Sequence, residues 1–557
     1  MSGPTGRWPW AWRLGRAWRG VAEWLLVLVV FSVHTGWPAP EPNEPYYLSK
    51  AIHYWQPDWI EGDFFLDTAD AHTVFYLTFG WLALWLGPTA LAWTGRAITW
   101  SLLAWAWRRL SLAVVPRRWW SVLSAAVLVT CLEHGHMAGE WLIGGVEAKG
   151  FAYLFVVLAL ADLVRQRWTR CWILLGIASA LHVLVGGWAV VATAVAWRLE
   201  RRRRPSLTQM LPGLAAGGLI ALLGLLPVLL LNRGTPAEVV TWANEIYVYV
   251  RLGHHLTIEA IPPWFLARFV LLTVLWLMLW RLIAGSNPAA GAAAVSRRLL
   301  REASRVHRFV VGAVVIAAGG ALISWLRPGG MAWSAALLRF YWFRLADVAV
   351  PIGAALATTQ AAVLGIAAIS GPDRPRRPRW AYVGLSIAAL ITLGSATYLL
   401  SRAGEMTFPQ PPRAFRISRH RTFEGRLHDF IAWRDVCRRI AASEEIPRDG
   451  RFLTPRLAQT FKWYARRPEV VNWKEIPQDA AGIVRWWRRI RKIHAKPHAR
   501  RRIRWYNSLA RQGPRRLRAL GRRYDADYAV TFARPPLPLP VVLRNDRYVV
   551  YRLDGDG

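Results

Sequence analysis

Up to about residue 400 the chain is cut into long apolar blocks, and beyond that point no block is long enough to cross a bilayer. A helix needs roughly 20 mainly apolar residues to span the hydrocarbon, and stretches such as 310–326 and 380–400 meet or approach that length. Periodicity alone does not separate such blocks from the buried helices of a soluble core. Their number does, because a soluble domain does not hide ten of them in succession. The expected fold is a polytopic α-helical membrane bundle over residues 1–400 with about 11 transmembrane helices, followed by a C-terminal soluble α/β domain over 401–557.

Charge gives the expected topology. The formal net charge is +37, which in a soluble chain would point to nucleic acid or an anionic surface. Here the Arg runs at 108–109, 117–118, 201–204, 297–308 and 374–379 lie between apolar blocks, where the positive-inside rule places cytoplasmic loops. An Arg-rich start leads into the first block, about 19–36. This has the shape of a signal peptide, but Pro38 and Pro40 follow without a small-x-small cleavage site, so a retained helix is expected. With that helix starting inside, loop 37–73 is delivered outside. It carries Glu41, Glu44, Asp58, Glu61, Asp63, Asp67 and Asp70 against one Lys, as suits a non-cytoplasmic loop. The short piece 74–87 reads as an interfacial helix. Further crossings are expected over 90–107, 119–137, 146–164, 171–185, 188–199, 210–231, 264–283, 309–326, 340–369 and 380–400, with a turn at Gly186–Gly187 making 171–199 a hairpin. The sum places the N-terminus in the cytoplasm and the last domain outside it; read as one long helix, 171–199 would put everything after it, the last domain included, on the opposite side. Three Cys give neither a disulfide framework nor a CxxC metal pair.

The last third has another texture. Strands are expected at 452–454, 469–473, 528–532, 541–543 and 548–553, and helices at 456–464, 478–494 and 500–523, with 534–540 (RPPLPLP) as a stiff connector. About 36 Lys and Arg face 15 acidic residues over 401–557, a composition suited to anionic headgroups or an anionic polymer or simply to a solvated basic face. Trp486, Trp487 and Trp505 interleave with Arg, but no nucleic-acid module frames them, so nucleic acid is not an expected partner.

Ionisable residues near membrane depth are costly and are therefore candidates for function. The first outside loop is the richest place. A carboxylate there, partly desolvated by aromatics, can act as a general base, and oxygen ligands could also hold a divalent ion. The plain alternative is a polar cap on the bundle. A second cluster is Glu133, His134, His136, Glu140, Glu147 and Lys149. Two His two apart point to different faces of a helix, so lining a polar cavity opposite the first loop fits better than metal binding, and Glu147 with Lys149 reads equally as an internal ion pair. A third is Arg339, Arg344 and Asp347, whose guanidinium forks match phosphate oxygens, with interfacial snorkelling as the alternative. His182, beside the hairpin, reads as a satisfied polar residue.

The stretch Asn43-Glu44-Pro45-Tyr46-Tyr47 after the first helix, the interfacial piece before a crossing with an early Arg96, and the short hairpin ahead of a terminal α/β domain resemble the GT-C superfamily of polytopic glycosyltransferases. That family starts with a paired acidic motif, and this chain has Asn43-Glu44 with Glu41 nearby. The resemblance implies sugar transfer from a lipid-phosphate-linked (polyprenyl-phosphate) donor on the outer face of a bacterial cytoplasmic membrane. It implies Glu44 as first choice for the base, then Asp63, with Glu41 as a third carboxylate. Substrate contacts are expected from Arg339, Arg344, Tyr47, His72 and Arg96, with membrane lipids as surroundings. No dedicated metal ligands are expected, although a divalent ion is compatible with the loop. The rival readings are a transporter or flippase of a lipid-linked or anionic solute, against which the chain has no internal repeat, and a non-catalytic envelope assembly protein.

Overall fold

The computed structural model describes residues 9–200, 204–285, 293–327, 329–370, 378–497 and 503–553. Most of the Arg runs at 201–204 and 374–379, and the side chains at the start of the 297–308 run, lie outside the described residues. Each of the eleven apolar blocks contains a helix: Pro9–Thr35, Pro88–Val114, Trp120–Gly135, Ala148–Val164, Trp168–Leu181, Val183–Arg198, Leu207–Leu230, Pro263–Ala284, Ala293–Leu326, Arg344–Ile369 and Arg379–Met406. Six stretches are long and apolar enough to cross a membrane: Trp18–Thr35, Leu207–Leu230, Pro263–Ala284, Glu302–Leu326, Arg344–Ile369 and Arg379–Met406. The remaining helices are shorter or carry more charge.

Helix Arg344–Ile369 is the centre of the bundle, buried along almost its whole length. It packs against Pro263–Ala284, Ala293–Leu326 and Arg379–Met406. The outer helices leave large apolar side chains exposed, among them Leu219, Leu223, Leu271, Leu390 and Leu393. An apolar surface of that extent is the mark of a membrane-facing wall. Helix Leu207–Leu230 touches the bundle through glycine. A Cβ at Gly213 would press on the Thr169 backbone, and one at Gly217 or Gly224 would collide with the carbonyls of Trp172 or Ala180. Such small residues let two backbones meet closely where hydrocarbon gives no hydrophobic drive.

Three local expectations change. The hairpin turns at His182, the only residue between Trp168–Leu181 and Val183–Arg198; Gly186 and Gly187 lie inside the second helix. The chain does double back, because a Cβ on Gly186 would collide with the Ser179 backbone. The interfacial piece is a single helical turn, Thr73–Thr78, followed by a 3-10 segment, Gly80–Leu84. The first outside loop is no open loop either. It holds helix Glu44–Trp55, begun by Pro45 in its first turn and buried at Glu44, Leu48, Ser49, Lys50, Ala51 and Ile52.

The terminal domain contains four strands: β1 Phe452–Leu453, β2 Tyr528–Phe532, β3 Val541–Arg544 and β4 Tyr548–Arg552. Their order is β1-β2-β4-β3, with β1 parallel to β2 and the other pairs antiparallel. Side chains alternate across the sheet as the pleat requires. Tyr528, Val530, Tyr548 and Val550 pack on helix Phe423–Ala442, while Ala529, Val549 and Tyr551 pack on Ala480–His494 and Pro514–Tyr524. Helix Phe423–Ala442 escapes the sequence reading. The long helix expected over 500–523 is Leu509–Gln512, a 3-10 turn, then Pro514–Tyr524, split at Gly513 with φ +78°; its first residues lie outside the described ones. Expected strand 469–473 reduces to one bridge, Glu469 to Phe452, and expected helix 456–464 to Phe461–Ala465. The second of the two cores also takes in Phe64, Ala243 and Ile246 from the bundle side, so the domain is docked on the first loop and on segment 237–246.

Candidate functional site: a buried charged network at the domain seam

Helix Glu44–Trp55 sets the position of the first loop's charges. Glu44 opens it and is 0% exposed. Arg96 grips it from helix Pro88–Val114, with Nε to Oε1 and Nη2 to Oε2 at 2.7 Å each. The Glu41 amide donates to Oε2 at 2.7 Å and the Val146 amide to Oε1 at 3.0 Å. Four donors occupy both oxygens, leaving no room for a substrate hydroxyl. Gly145 closes the other side; a Cβ there would lie 2.6 Å from the Glu41 Cβ and 2.9 Å from Glu44 Oε1.

Asp63 is equally committed. Its Oδ1 accepts the amides of Phe65 and Leu66 at 3.0 Å, and Oδ2 accepts the Glu469 amide at 3.0 Å and lies 3.3 Å from Lys462 Nζ. Lys462 also pairs with Glu469 at 2.9 Å and with Glu475. Burial alone would lower the Lys462 ammonium, but three carboxylates around it raise it above its usual range. Glu475 is raised by burial, only partly offset by Lys462. This cluster clasps the first loop to the terminal domain.

Glu41 differs. It is 5% exposed and its Oε1 has no hydrogen-bond partner. Burial pushes its carboxyl up to about 7 in spite of Arg413 and Arg96 nearby.

From this corner a chain of polar contacts runs inward. Asn43 donates to Glu147 Oε2 at 3.1 Å and accepts from Lys474 Nζ of the terminal domain at 2.6 Å. Lys149 bridges Glu147, at 3.1 Å, and Glu140. Arg344 Nε donates to Glu140 Oε2 at 2.7 Å and Nη1 meets His182 Nε2 at 3.2 Å, while its guanidinium covers the Tyr341 ring at 3.8 Å. The His72 ring stands 5.4 Å from that of His182 and 5.0 Å from that of Tyr47. His72 Nδ1 is buried without a partner. Asp347 holds the loop in place by accepting the amides of Met137, Ala138 and Glu140 at 2.8, 2.9 and 3.2 Å.

Electrostatically the network is uneven. Burial would raise Glu140, but Arg344 and Lys149 outweigh it and hold the carboxyl at about 2. Glu147 stays raised by burial despite Lys149. Burial, with Arg251 beside it, brings the Lys474 ammonium down to about 7, and burial lowers the His72 imidazole to about 4.

The residues singled out in the sequence therefore fall into groups. Glu41, Glu44 and Arg96 form one corner, and Tyr47, His72 and Arg344 another, joined through Asn43, Glu147, Lys149 and Glu140. Asp63 sits in the seam. Arg339 stands apart, donating to Asn244 Oδ1 at 2.7 Å. His134 and His136 point to different neighbours, Tyr398 and Phe265, and among the described residues no three His, Cys, Asp or Glu side chains are placed to hold a metal ion. Lys462 and Lys474 were not anticipated. The one signal in the sequence is that each Lys stands directly beside aromatic residues, Phe461 and Trp463 for Lys462 and Trp473 for Lys474, where a charged group is buried only if paired.

Residues 431–493 match a family described as a domain of unknown function, DUF6798. No curated protein matches the chain. Among solved structures the chain is similar to an archaeal oligosaccharyltransferase, AglB from Archaeoglobus fulgidus, in complex with an inhibitory peptide and a dolichol-phosphate. The identity is 11% and the TM-score 0.43, over 92% of this chain and 69% of that one.

Proposed function

We propose that the chain is a membrane-embedded glycosyltransferase that moves a sugar from a lipid-phosphate-linked donor to a hydroxyl acceptor at the extracytoplasmic surface. The observation that carries this reading is the buried carboxylate of Glu41, which has an unpartnered oxygen and Arg413 and Arg96 nearby and stands two residues before Asn43, from which a buried chain of polar contacts runs through Glu147, Lys149 and Glu140 to Arg344. Glu44 and Asp63 have their acceptor positions filled. The base role expected for Glu44 therefore passes to Glu41, and Glu44 becomes the group that, with Arg96, fixes the Glu41 backbone.

In the reaction the acceptor oxygen attacks the anomeric carbon and the bond from that carbon to the donor phosphate oxygen breaks. The acceptor proton goes to the Glu41 carboxylate, whose position near 7 suits proton transfer at neutral pH. The departing lipid phosphate keeps the bonding pair, and its charge is met by Arg344, Lys149 and Lys474. Fixed cations in a water-poor site stabilise such developing charge strongly. Tyr47 and His72 supply the aromatic wall against which a sugar ring rests.

The test is transfer of labelled sugar from a panel of polyprenyl-phosphate donors in membranes carrying the wild type, Glu41→Gln or Arg344→Ala. Transfer by the wild type and its loss in both variants at equal expression supports the reading. Unchanged turnover in Glu41→Gln removes the base assignment, and no transfer from any donor removes the enzyme.

A further inference from the structure

Away from this network, where the first loop meets the terminal domain, a pocket of about 210 Å³ is walled by Arg451, Arg485 and Arg489 on the domain side and by Gly62, Phe64 and Asp67 on the loop side. The pocket is smaller than the roughly 300 Å³ at which sites for whole drug-sized ligands begin, yet far larger than a single water requires. It suits one polar group rather than a chain of sugars.

Its charge is not balanced by its own walls. Arg451 spends Nη1 on the carboxylate of Asp525 at 3.3 Å and Nη2 on the Gly62 carbonyl at 3.4 Å, and Asp525 is itself almost fully exposed. Arg489 donates Nη1 to the Val470 carbonyl at 3.1 Å and lies 4.1 Å over the Phe64 ring. Arg485 stands 5.9 Å from the same ring. Among the described residues neither Arg485 nor Arg489 has a carboxylate within ion-pair reach. The wall's one acid, Asp67, is half-exposed and turned to His53 at 3.5 Å. Phe64 acts as a floor on which the Arg489 guanidinium is stacked, with that of Arg485 at the edge of the ring's reach, a geometry that orients the Arg489 fork while leaving N–H groups free.

We propose that this pocket is a second binding site, separate from the transfer network, that takes a phosphate-type anion between Arg451, Arg485 and Arg489. Three guanidiniums, of which only Arg451 has an ion-pair partner in the exposed Asp525 and to which the wall itself adds only Asp67, match the charge and the planar-fork geometry of a phosphate group. Phosphate esters of an acceptor and phospholipid headgroups share that chemistry.

The experiment uses the full chain in nanodiscs of phosphatidylcholine, titrated with inorganic pyrophosphate by calorimetry. Saturable binding is expected, weakened tenfold or more in Arg485→Gln and in Arg489→Gln and unchanged in Arg438→Gln, an exposed Arg outside the pocket. Arg485 is exposed on its helix, so its variant leaves the fold intact, which a thermal melt checks. Repeating the titration in phosphatidylglycerol nanodiscs distinguishes the sources. Loss of pyrophosphate binding by wild type and Arg438→Gln alike identifies the headgroup as the resident group, and retained binding identifies a soluble phosphate. Absence of saturable pyrophosphate binding in phosphatidylcholine, equal affinity in wild type and both pocket variants, or equal weakening in Arg438→Gln overturns the proposal.

Discussion

Arg96 holds Glu44 by two parallel hydrogen bonds of 2.7 Å, with both side chains shut off from solvent. Removing one partner of such a pair leaves a lone buried charge, at a cost of about 3–5 kcal/mol, whereas removing both is often close to neutral. Glu44→Gln and Arg96→Met are each expected to lower the thermal midpoint of the detergent-solubilised protein, and the double variant to recover most of the loss. A double variant as unstable as the sum of the two would show that the fork is not the reason for the loss.

Glu41 gives a pH signature. Its folded carboxyl sits at about 7 instead of near 4.5 because it is buried. A raised value means the folded chain keeps the proton to higher pH, so the base form fills as pH climbs through 7. Transfer kcat is expected to rise between pH 6 and pH 8 and then level. Glu41→Gln should lose this limb and lower kcat by about 10² to 10⁴. A variant that kept the wild-type pH profile would assign the limb to another group.

Arg344 separates donor binding from acceptor binding. Arg344→Lys keeps the charge but loses the planar fork. It is expected to raise the donor KM by about tenfold while leaving the acceptor KM unchanged. Arg344→Ala should in addition release Glu140, now held at about 2, toward the ordinary carboxylate range. Equal rises in both KM values would mean a general loosening of the loop held by Asp347.

The clasp at Lys462 predicts where the molecule opens. Lys462→Met removes the cation that, among the described residues, forms ion pairs with Asp63, Glu469 and Glu475, a loss of about 3–5 kcal/mol. Hydrogen exchange should speed up in both 58–70 and 469–476, and not in Lys496→Met, at an exposed Lys. Exchange confined to the domain would argue against a shared closure.

The proposal that the terminal domain lies outside the cytoplasm is tested with one surface cysteine. Arg438→Cys should react with a membrane-impermeant maleimide in intact cells, against a low background because Cys171 and Cys437 are buried and Cys131 partly so. Protection until lysis would place the domain in the cytoplasm.

The apolar blocks are legible because each helix in lipid must satisfy its own backbone, and so each block holds a helix, although among the described residues only six stretches have the length and apolarity to cross a membrane. The His182 turn is not, since a one-residue reversal is decided by backbone contact at Gly186 and Ser179 rather than by a breaker residue. The site is legible in part. Glu44, Arg96, Tyr47, His72 and Arg344 stand out as charge or aromatics near membrane depth. Which carboxylate keeps a free oxygen depends on the amides of Glu41, Val146 and Glu469, and the first two come from loops and the third from a segment hundreds of residues away. Helix Phe423–Ala442 was invisible because its apolar stripe is thin and its remaining positions are Arg and acids, which blur the helical period.

The tie between Asp63 and the Glu469 amide joins residues 406 positions apart. At a synthesis rate of about 5–20 residues per second, the loop carrying Asp63 is made about 20 to 80 s before the amide it needs exists. Throughout that interval its Oδ2 lacks the Glu469 amide and the Lys462 ammonium, and only Oδ1 has its local amides, while the apolar blocks between them enter the bilayer one after another. Closure of the first loop is therefore a late event in the life of the nascent chain, because the segment that seals it is made 406 residues later.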